Sequence, residues 1–295
     1  MSASEYNAIS HMLRAHKTEV TVSDVWRRIN GTTSLGSLVG KKLFFTRDEL
    51  EGLRRYGRSI TGLDPLLEDL GGNRIEVAEK TSNEKHSGEA VFGRMVSVVT
   101  KGRSVLPLRG ECQDASAPAN VVLSVAVADI DHDRLKAQKI VISENGSTIT
   151  AGHLLTLPRE WSDALVIYRG NGRDKRHVSS IVASQPSENI AFLHDFDPAG
   201  LSEAAGKGKG VVIIPSPEYL HSLDEQSLSN VNQPAVFNRQ AALFKTLSTR
   251  VSGDAWQSIL ALMKAKRVAI MEEHMIAHAL PLIVGPVISP VRVSA

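Results

Sequence analysis

Residues 190–201 read Ile190-Ala-Phe-Leu-His194-Asp195-Phe196-Asp197-Pro198-Ala199-Gly200-Leu201. Four consecutive apolar residues have the length and composition of a strand buried on both faces of a parallel sheet. Proline suits the first turn of a helix, where its missing N–H has no intrahelical partner and its φ is preset. A strand over Asn189 to Leu193, an Asp-x-Asp connection and a helix over Pro198 to Ala205 are therefore predicted. Two aspartates separated by one extended residue project to the same side. In open α/β sheets ligands collect beyond the carboxyl ends of strands, so Asp195 and Asp197 are candidate site residues.

The same rhythm extends in both directions. Short apolar runs at Val121 to Val127, Lys139 to Ser143, Ala164 to Tyr168 and Gly210 to Ile214 read as further strands. Helical segments fit between them at Gly146 to Leu155 and Lys175 to Ala183. Alternation of this kind implies an α/β fold with a mainly parallel sheet flanked by helices. Pro234 to His278 reads as two or three helices with Trp256, Leu260 and Met263 on one side. The proline-broken tail from Leu280 cannot continue a helix and is expected to pack as an extended segment.

A second strand end carries charge in Ile140-Val-Ile-Ser-Glu144-Asn145-Gly146. Asp before Pro is also an ordinary helix cap, and Glu-Asn-Gly an ordinary turn. Together, about 50 residues apart and each ending a predicted strand, the two motifs bring three carboxylates toward one edge. Such a cluster repels itself unless a cation neutralises it. Oxygen ligands without cysteine suit Mg²⁺ or Mn²⁺, which keep waters and recruit phosphates. The chemistry implied is phosphoryl transfer.

A Glu at one strand end and Asp-x-Asp at a later one resembles the Toprim domains of topoisomerases, primases and several nucleases. Val141-Ile-Ser-Glu-Asn, Leu157-Pro158, Val166-Ile-Tyr-Arg-Gly-Asn-Gly172 and Phe192-Leu-His-Asp-Phe-Asp-Pro-Ala-Gly-Leu201 are similar to the Toprim part of the JetD-like nuclease subunit of Wadjet plasmid defence. They are more distantly similar to the A subunit of type IIB topoisomerases. His194 departs from that pattern, where glycine is common, and the middle motif reads Arg169-Gly-Asn-Gly. The similarity covers Lys139 to Pro217 and continues weakly to His278.

The resemblance implies a Toprim-like fold and a Mg²⁺-dependent (or Mn²⁺-dependent) DNA endonuclease that hydrolyses phosphodiester bonds in double-stranded plasmid. Glu144 is implied as a metal ligand or general acid/base, and Asp195 and Asp197 as metal ligands. Glu272, in Val268-Ala-Ile-Met-Glu272-Glu273-His274, echoes a later Glu-rich helix of the family and is implied as a further ligand. An exposed Glu-Glu pair on a helix is otherwise simply solvated. An SMC-type ATPase partner and a homodimer follow from the family alone, since cutting both strands needs two active sites. No Walker spacing is present: Gly206-Lys-Gly-Lys-Gly210 reads better as a flexible turn.

Arg169, Arg173, Lys175 and Arg176 cluster around Gly170 and Gly172 at another strand end and are the expected DNA-backbone contacts. Between Lys80 and Gly110 six basic and two acidic residues leave a local excess of +4, either a phosphate-binding face or a solvated one. Asp131-His132-Asp133 is either a metal site or a polar turn with a helix cap.

Length and composition agree with these readings. At about 150 residues per domain, the 295 residues allow one large domain or two modest ones. Lys+Arg minus Asp+Glu is 34 − 32 = +2, so no large net field announces a partner. The lone Cys112 excludes zinc fingers and fits a reducing, cytoplasmic compartment. No window approaches the roughly 18 apolar residues of a membrane span. The expected division is residues 1–110, a helical region, and residues 111–295, the catalytic domain with its C-terminal helices. In the first region Val22 to Ile29 and Arg47 to about Tyr56, the latter opened by Thr46 and Glu49 at capping-box spacing, flank a Gly-rich turn. That text resembles the front of a helix-turn-helix or winged-helix module and would equally suit any helix connection, so DNA binding and plain packing both remain open. Arg74 to Val77 reads as strand-like.

A transesterase would need a tyrosine nucleophile. Tyr56, with its basic neighbours, is the candidate, although an aromatic at that position is more often a packing residue. Tyr168 and Tyr219 lie in or beside the Toprim-like text, and Tyr6 near a terminus expected to be loose. The tandem tyrosine of the topoisomerase family is missing, which favours hydrolysis. A third alternative is a noncatalytic DNA-binding or scaffold subunit that keeps the fold.

Overall fold

The structure is a computed structural model that describes residues 2–70, 74–81, 94–110, 114–118, 120–171 and 175–289. The chain forms two compact units, Met1–Gly93 and Arg94–Ala295.

In the first unit a small sheet of β1 (Glu19–Thr21), β2 (Ser37–Val39) and β3 (Lys42–Phe44) has the antiparallel order β1-β3-β2. Helices Ala3–Arg14, Asp24–Thr33 and Arg47–Thr61 accompany it. Ile9, Met12, Trp26, Ile29, Leu43, Phe45 and Leu53 make the core. The capping box of Thr46 and Glu49 forms as expected, each side chain meeting the other's backbone N–H. The two expected helices exist, but the β2–β3 hairpin stands between them in place of a simple turn. Gly40 takes a φ of +60° in the two-residue loop of that hairpin, a left-handed value that such loops draw from glycine. Tyr56 is half-buried and packs on the core. Tyr6, expected near a loose terminus, is fully buried in the first helix. Arg74–Lys80 is helical rather than extended, because a four-residue window is too short to separate the two periods.

The second unit is built on a seven-stranded sheet. Its strands are β4 (Met95–Thr100), β5 (Leu123–Ala126), β6 (Ile140–Ser143), β7 (Leu165–Tyr168), β8 (Ile190–Leu193), β9 (Val211–Pro215) and β10 (Leu282–Val287). The order is β10-β9-β8-β6-β7-β4-β5. The central run β9-β8-β6-β7 is parallel, and β10, β4 and β5 join antiparallel at the two sides. All four residues of β6 and of β8 are buried, as strands covered on both faces must be. Burying each such Val, Ile, Leu or Phe stabilises by about 1.5–3 kcal/mol, which holds these two strands at the centre.

The expected division at 110 is corrected by β4. Met95–Thr100 pairs with β7 through Val98, Val99 and Thr100 and belongs to the sheet, so the boundary falls at Gly93. That pairing is nonlocal and lies beside polar, basic text, which hid the strand. The helix after Glu144 spans only Gly146–Thr150, because the next turn would have to include Gly152. The C-terminal part holds four helices, Pro234–Arg239, Ala241–Arg250, Asp254–Lys266 and Glu272–Ala277, with Gly253 at φ +100° breaking the run. Trp256, Leu260 and Met263 are all buried. The tail is β10, an edge strand whose register shifts between Val284 and Val287 around Pro286. Edge and bulge positions are where a sheet tolerates proline. Among the described residues no helix is long and apolar enough to cross a membrane.

Candidate active site at the carboxyl ends of the parallel strands

β6 and β8 are direct neighbours in register, with Ser143 opposite Leu193. The next residue of each chain leaves the sheet at the same edge, which places Glu144 beside His194 and brings Asp195 and Asp197 into the same space. Asp197 caps helix Pro198–Ala205, its Oδ1 accepting from the Gly200 N–H at 2.7 Å. Its Oδ2 accepts from the Gln240 amide at 2.7 Å, and that amide's oxygen accepts from the Ala199 N–H at 2.9 Å. Between the aspartates, Phe196 exchanges backbone hydrogen bonds of 2.8 and 3.1 Å with Ile270. Phe196 is buried, so the loop is pinned with the two carboxylates on its other side.

Glu272 lies beneath this edge and is fully buried. Its Oε1 accepts from the Glu144 backbone N–H at 2.8 Å. Its Oε2 accepts from the Ser143 hydroxyl at 2.7 Å and the Thr148 hydroxyl at 2.6 Å. Its own N–H donates to Asp195 Oδ1 at 2.8 Å. Both oxygens of Glu272, expected as a further metal ligand, thus accept from protein donors, and the residue ties together the loops that carry Glu144 and Asp195. The neighbouring Glu273 accepts from the Asn145 side chain, so the second glutamate also contacts the site loop rather than water alone.

A charged network surrounds Glu144. Arg169, which follows β7, places Nη2 3.0 Å from Glu144 Oε1 and pairs through Nη1 with Glu203. Lys175 Nζ lies 2.7 Å from Glu203 and Lys207 Nζ 3.7 Å. His194 is buried and places Nδ1 3.2 Å from the Gly200 carbonyl oxygen and 3.9 Å from Glu144 Oε2. His194 Nε2 and Glu144 Oε2 are buried without a hydrogen-bond partner.

Burial dominates the electrostatics. It raises the pKa of Glu144, opposed by Arg169 and reinforced by the like charges of Glu203 and Asp197. Asp195 is pushed up to about 6 by burial, with Glu144 and Asp197 adding to the rise. Glu272 is pushed up to about 8, again by burial first. Burial pushes His194 down, so its ring is neutral, and an Nδ1–H directed at the Gly200 carbonyl satisfies that atom. Burial works against Glu203 ionising, but Lys175 and Arg169 outweigh it and hold its carboxyl below the usual range.

The donor set fits a hard divalent cation in its chemistry: carboxylate oxygens only, one of them a buried acceptor lacking any donor. Among the described residues, however, no group of three His, Cys, Asp or Glu side chains is arranged to hold a metal ion. Glu144 is turned to Arg169, and both Asp197 oxygens already accept hydrogen bonds.

The other expected site residues separate. Arg169, an expected DNA-backbone contact, is only 16% exposed in its side chain and pairs with two carboxylates. Lys175 is half-spent on Glu203, Arg176 is exposed, and Arg173 lies outside the described residues. In the basic stretch, Lys101 donates to the carbonyls of Gly152 and Leu155, Arg103 pairs with Asp163, and Arg109 donates to the Ile130 carbonyl. Those three serve the fold, while Lys85 and Cys112 lie outside the described residues. Asp131 caps a short helix and Asp133 pairs with Lys136, the polar-turn reading. Lys209 donates to the carbonyls of Ala183 and Gln185, so the Gly206 to Gly210 segment is a braced turn.

Sequence reasoning missed Glu203 and Gln240. Glu203 follows the aspartate motif on the exposed rhythm of a helix, and Gln240 lies 43 residues beyond Asp197, with no local signal for either.

Fold and site together define an α/β protein with a parallel-centred sheet whose strand ends carry a buried acidic cluster. Within that class the chain belongs to the family described as Domain of unknown function (DUF7281), whose model matches residues 93–284. The match starts where the sheet-bearing unit starts. No curated protein matches the sequence.

Proposed function

We propose that this protein is a Mg²⁺- or Mn²⁺-dependent DNA endonuclease of Toprim type. In this reading it is the nuclease subunit of a Wadjet-like system, cutting double-stranded plasmid with an SMC-type ATPase as partner and with a homodimer supplying two active sites. The observation that carries the reading is the convergence of Glu144, Asp195 and Asp197 at the ends of adjacent parallel strands, close enough that the charge of Asp197 adds to the raised proton affinity of both Glu144 and Asp195. Buried like charges are costly unless a cation compensates them.

Glu144, Asp195 and Asp197 would hold the cation. When bound, it would polarise a phosphodiester and lower the pKa of a water at the phosphorus. The protein's own groups do the rest. Glu144 has its proton affinity raised toward the working range of a general acid or base, and its Oε2 has no competing donor. Glu272 fixes the backbone of Glu144 and the carboxylate of Asp195. Asp197 and Gln240 lock the start of helix Pro198–Ala205, so the aspartate loop is preorganised.

The test is cleavage of supercoiled plasmid with Mg²⁺ or Mn²⁺ by the wild type, Glu144→Gln and Asp195→Asn, with each reaction checked for protein covalently attached to DNA. Metal-dependent nicking without an adduct, lost in both variants, is the expected result. An adduct abolished by Tyr56→Phe would replace this reading with a transesterase. DNA binding with no cleavage, even with the ATPase partner present, would replace it with a noncatalytic scaffold.

A further inference from the structure

Arg169 is the feature of this site that a cation-binding cluster does not need. Its guanidinium contacts Glu144 Oε1 at 3.0 Å on one side and Glu203 on the other, and its backbone N–H is tied to the Ser143 carbonyl at 2.8 Å. The Glu144 and Glu203 side chains are each 23% exposed, so the pairs are shielded from water. A guanidinium does not lose its charge in proteins. Any divalent ion reaching Glu144 therefore meets a fixed positive charge already seated on that carboxylate. Glu203 is built to keep the arginine without Glu144, because Lys175 at the start of another helix and Lys207 just past the end of its own helix place Nζ 2.7 and 3.7 Å from its Oε1 and hold its carboxylate in place.

We propose that Arg169 is the resident counter-cation of the acidic site, that its pairing with Glu144 and the binding of a divalent ion exclude one another, and that Glu203 is the seat to which the guanidinium withdraws. The inference rests on the reading of this site as a divalent-cation site. It accounts for two facts at once: the acidic residues are gathered at one edge, yet no three of them are arranged to hold an ion while Arg169 is in place. Arg169 is thus a positioning residue that sets ion affinity, and Glu203 acts through it.

The two residues have opposite expected effects, which a merely structural role would not produce. Removing Arg169 removes the competitor, whereas removing the charge of Glu203 leaves Arg169 to lean wholly on Glu144. The experiment is Mn²⁺ binding to the full chain, read as free-ion paramagnetic resonance, for the wild type, Arg169→Gln, Glu203→Gln and Glu144→Gln. Arg169→Gln should bind Mn²⁺ about ten-fold more tightly and Glu203→Gln several-fold more weakly, within the usual range of coupling between two ligands. Should Arg169→Gln fail to fold, the weakening in Glu203→Gln decides alone. Wild-type binding that Arg169→Gln leaves unchanged or weakens, or that Glu203→Gln leaves unchanged, overturns the inference and spares the cation reading. Absence of Mn²⁺ binding in all four proteins overturns both.

Discussion

Glu272 and Asp195, 77 residues apart, meet through a 2.8 Å hydrogen bond from the Glu272 backbone N–H to Asp195 Oδ1. The Glu272 side chain simultaneously receives the Glu144 backbone N–H, so one helix start holds both halves of the acidic site. Each of the following expectations turns on a contact of this kind.

Glutamine at 272 can keep the Glu144 contact through its oxygen and donate its amide to the Ser143 and Thr148 hydroxyls, which then accept. Glu272→Gln should lie within about 1 kcal/mol of the wild type at neutral pH. Glu272→Ala strands the Glu144 N–H and the Thr148 hydroxyl at about 1–3 kcal/mol each, while Ser143 keeps the Asn145 carbonyl as acceptor, and should lose about 2 kcal/mol or more in urea unfolding. The folded pKa of about 8 lies above the ordinary glutamate value, so the folded state binds the proton more strongly. Its contribution is therefore present at low pH and lost as pH rises through 8. From about pH 5 to 8 the balance should therefore shift steadily toward Glu272→Gln and then level off; a constant difference across that range would contradict this.

Asp195 has the same sign in a lower window. Its carboxyl rises from 3.8 to about 6 on folding, so the stability it contributes is full below pH 4 and disappears as pH rises through 6. Asparagine retains the oxygen that accepts from Glu272. With divalent ions chelated, Asp195→Asn should melt higher than the wild type at pH 8 and indistinguishably near pH 4. Calorimetric scans across that range give the answer.

Gln240 clamps the aspartate loop from a distant helix. Gln240→Ala should cost about 1 kcal/mol for the lost hydrogen bonds. Gln240→Glu should cost more, because it sets a carboxylate against Asp197 Oδ2, where the amide now donates at 2.7 Å. The order of denaturation midpoints, wild type above alanine above glutamate, checks the geometry.

Gly200 permits the helix to start directly under the aspartate loop, since a Cβ there would lie 2.3 Å from the Asp195 carbonyl oxygen. Backbone cannot yield as a flexible side chain does. Gly200→Ala should lose about 1–3 kcal/mol, as overpacking does, and should displace Asp195, seen as altered amide resonances at 195–197.

The apolar runs were sufficient to locate β5 to β9 and the helix from Pro198, because strands buried on both faces write themselves as continuous Val, Ile, Leu and Phe. The strand-end carboxylates Glu144, Asp195 and Asp197 were legible for the same reason: once the strands are placed, the residue that follows each is at the sheet edge. Local text also marked the Thr46 capping box and the Asp197 cap. What depended on tertiary structure was every relationship between residues far apart in the chain. β4 is a strand because β7 lies beside it, and Glu272 supports the site loops because Ser143, Thr148 and the Glu144 N–H surround it. Arg169 is a partner of Glu144 and Glu203 rather than a free surface charge for the same reason. Periodicity and caps act over a few residues and are read from neighbours in sequence. Burial, proton affinity and the pairing of charges are set by neighbours in space, which the order of the strands and the packing of helices against them decide.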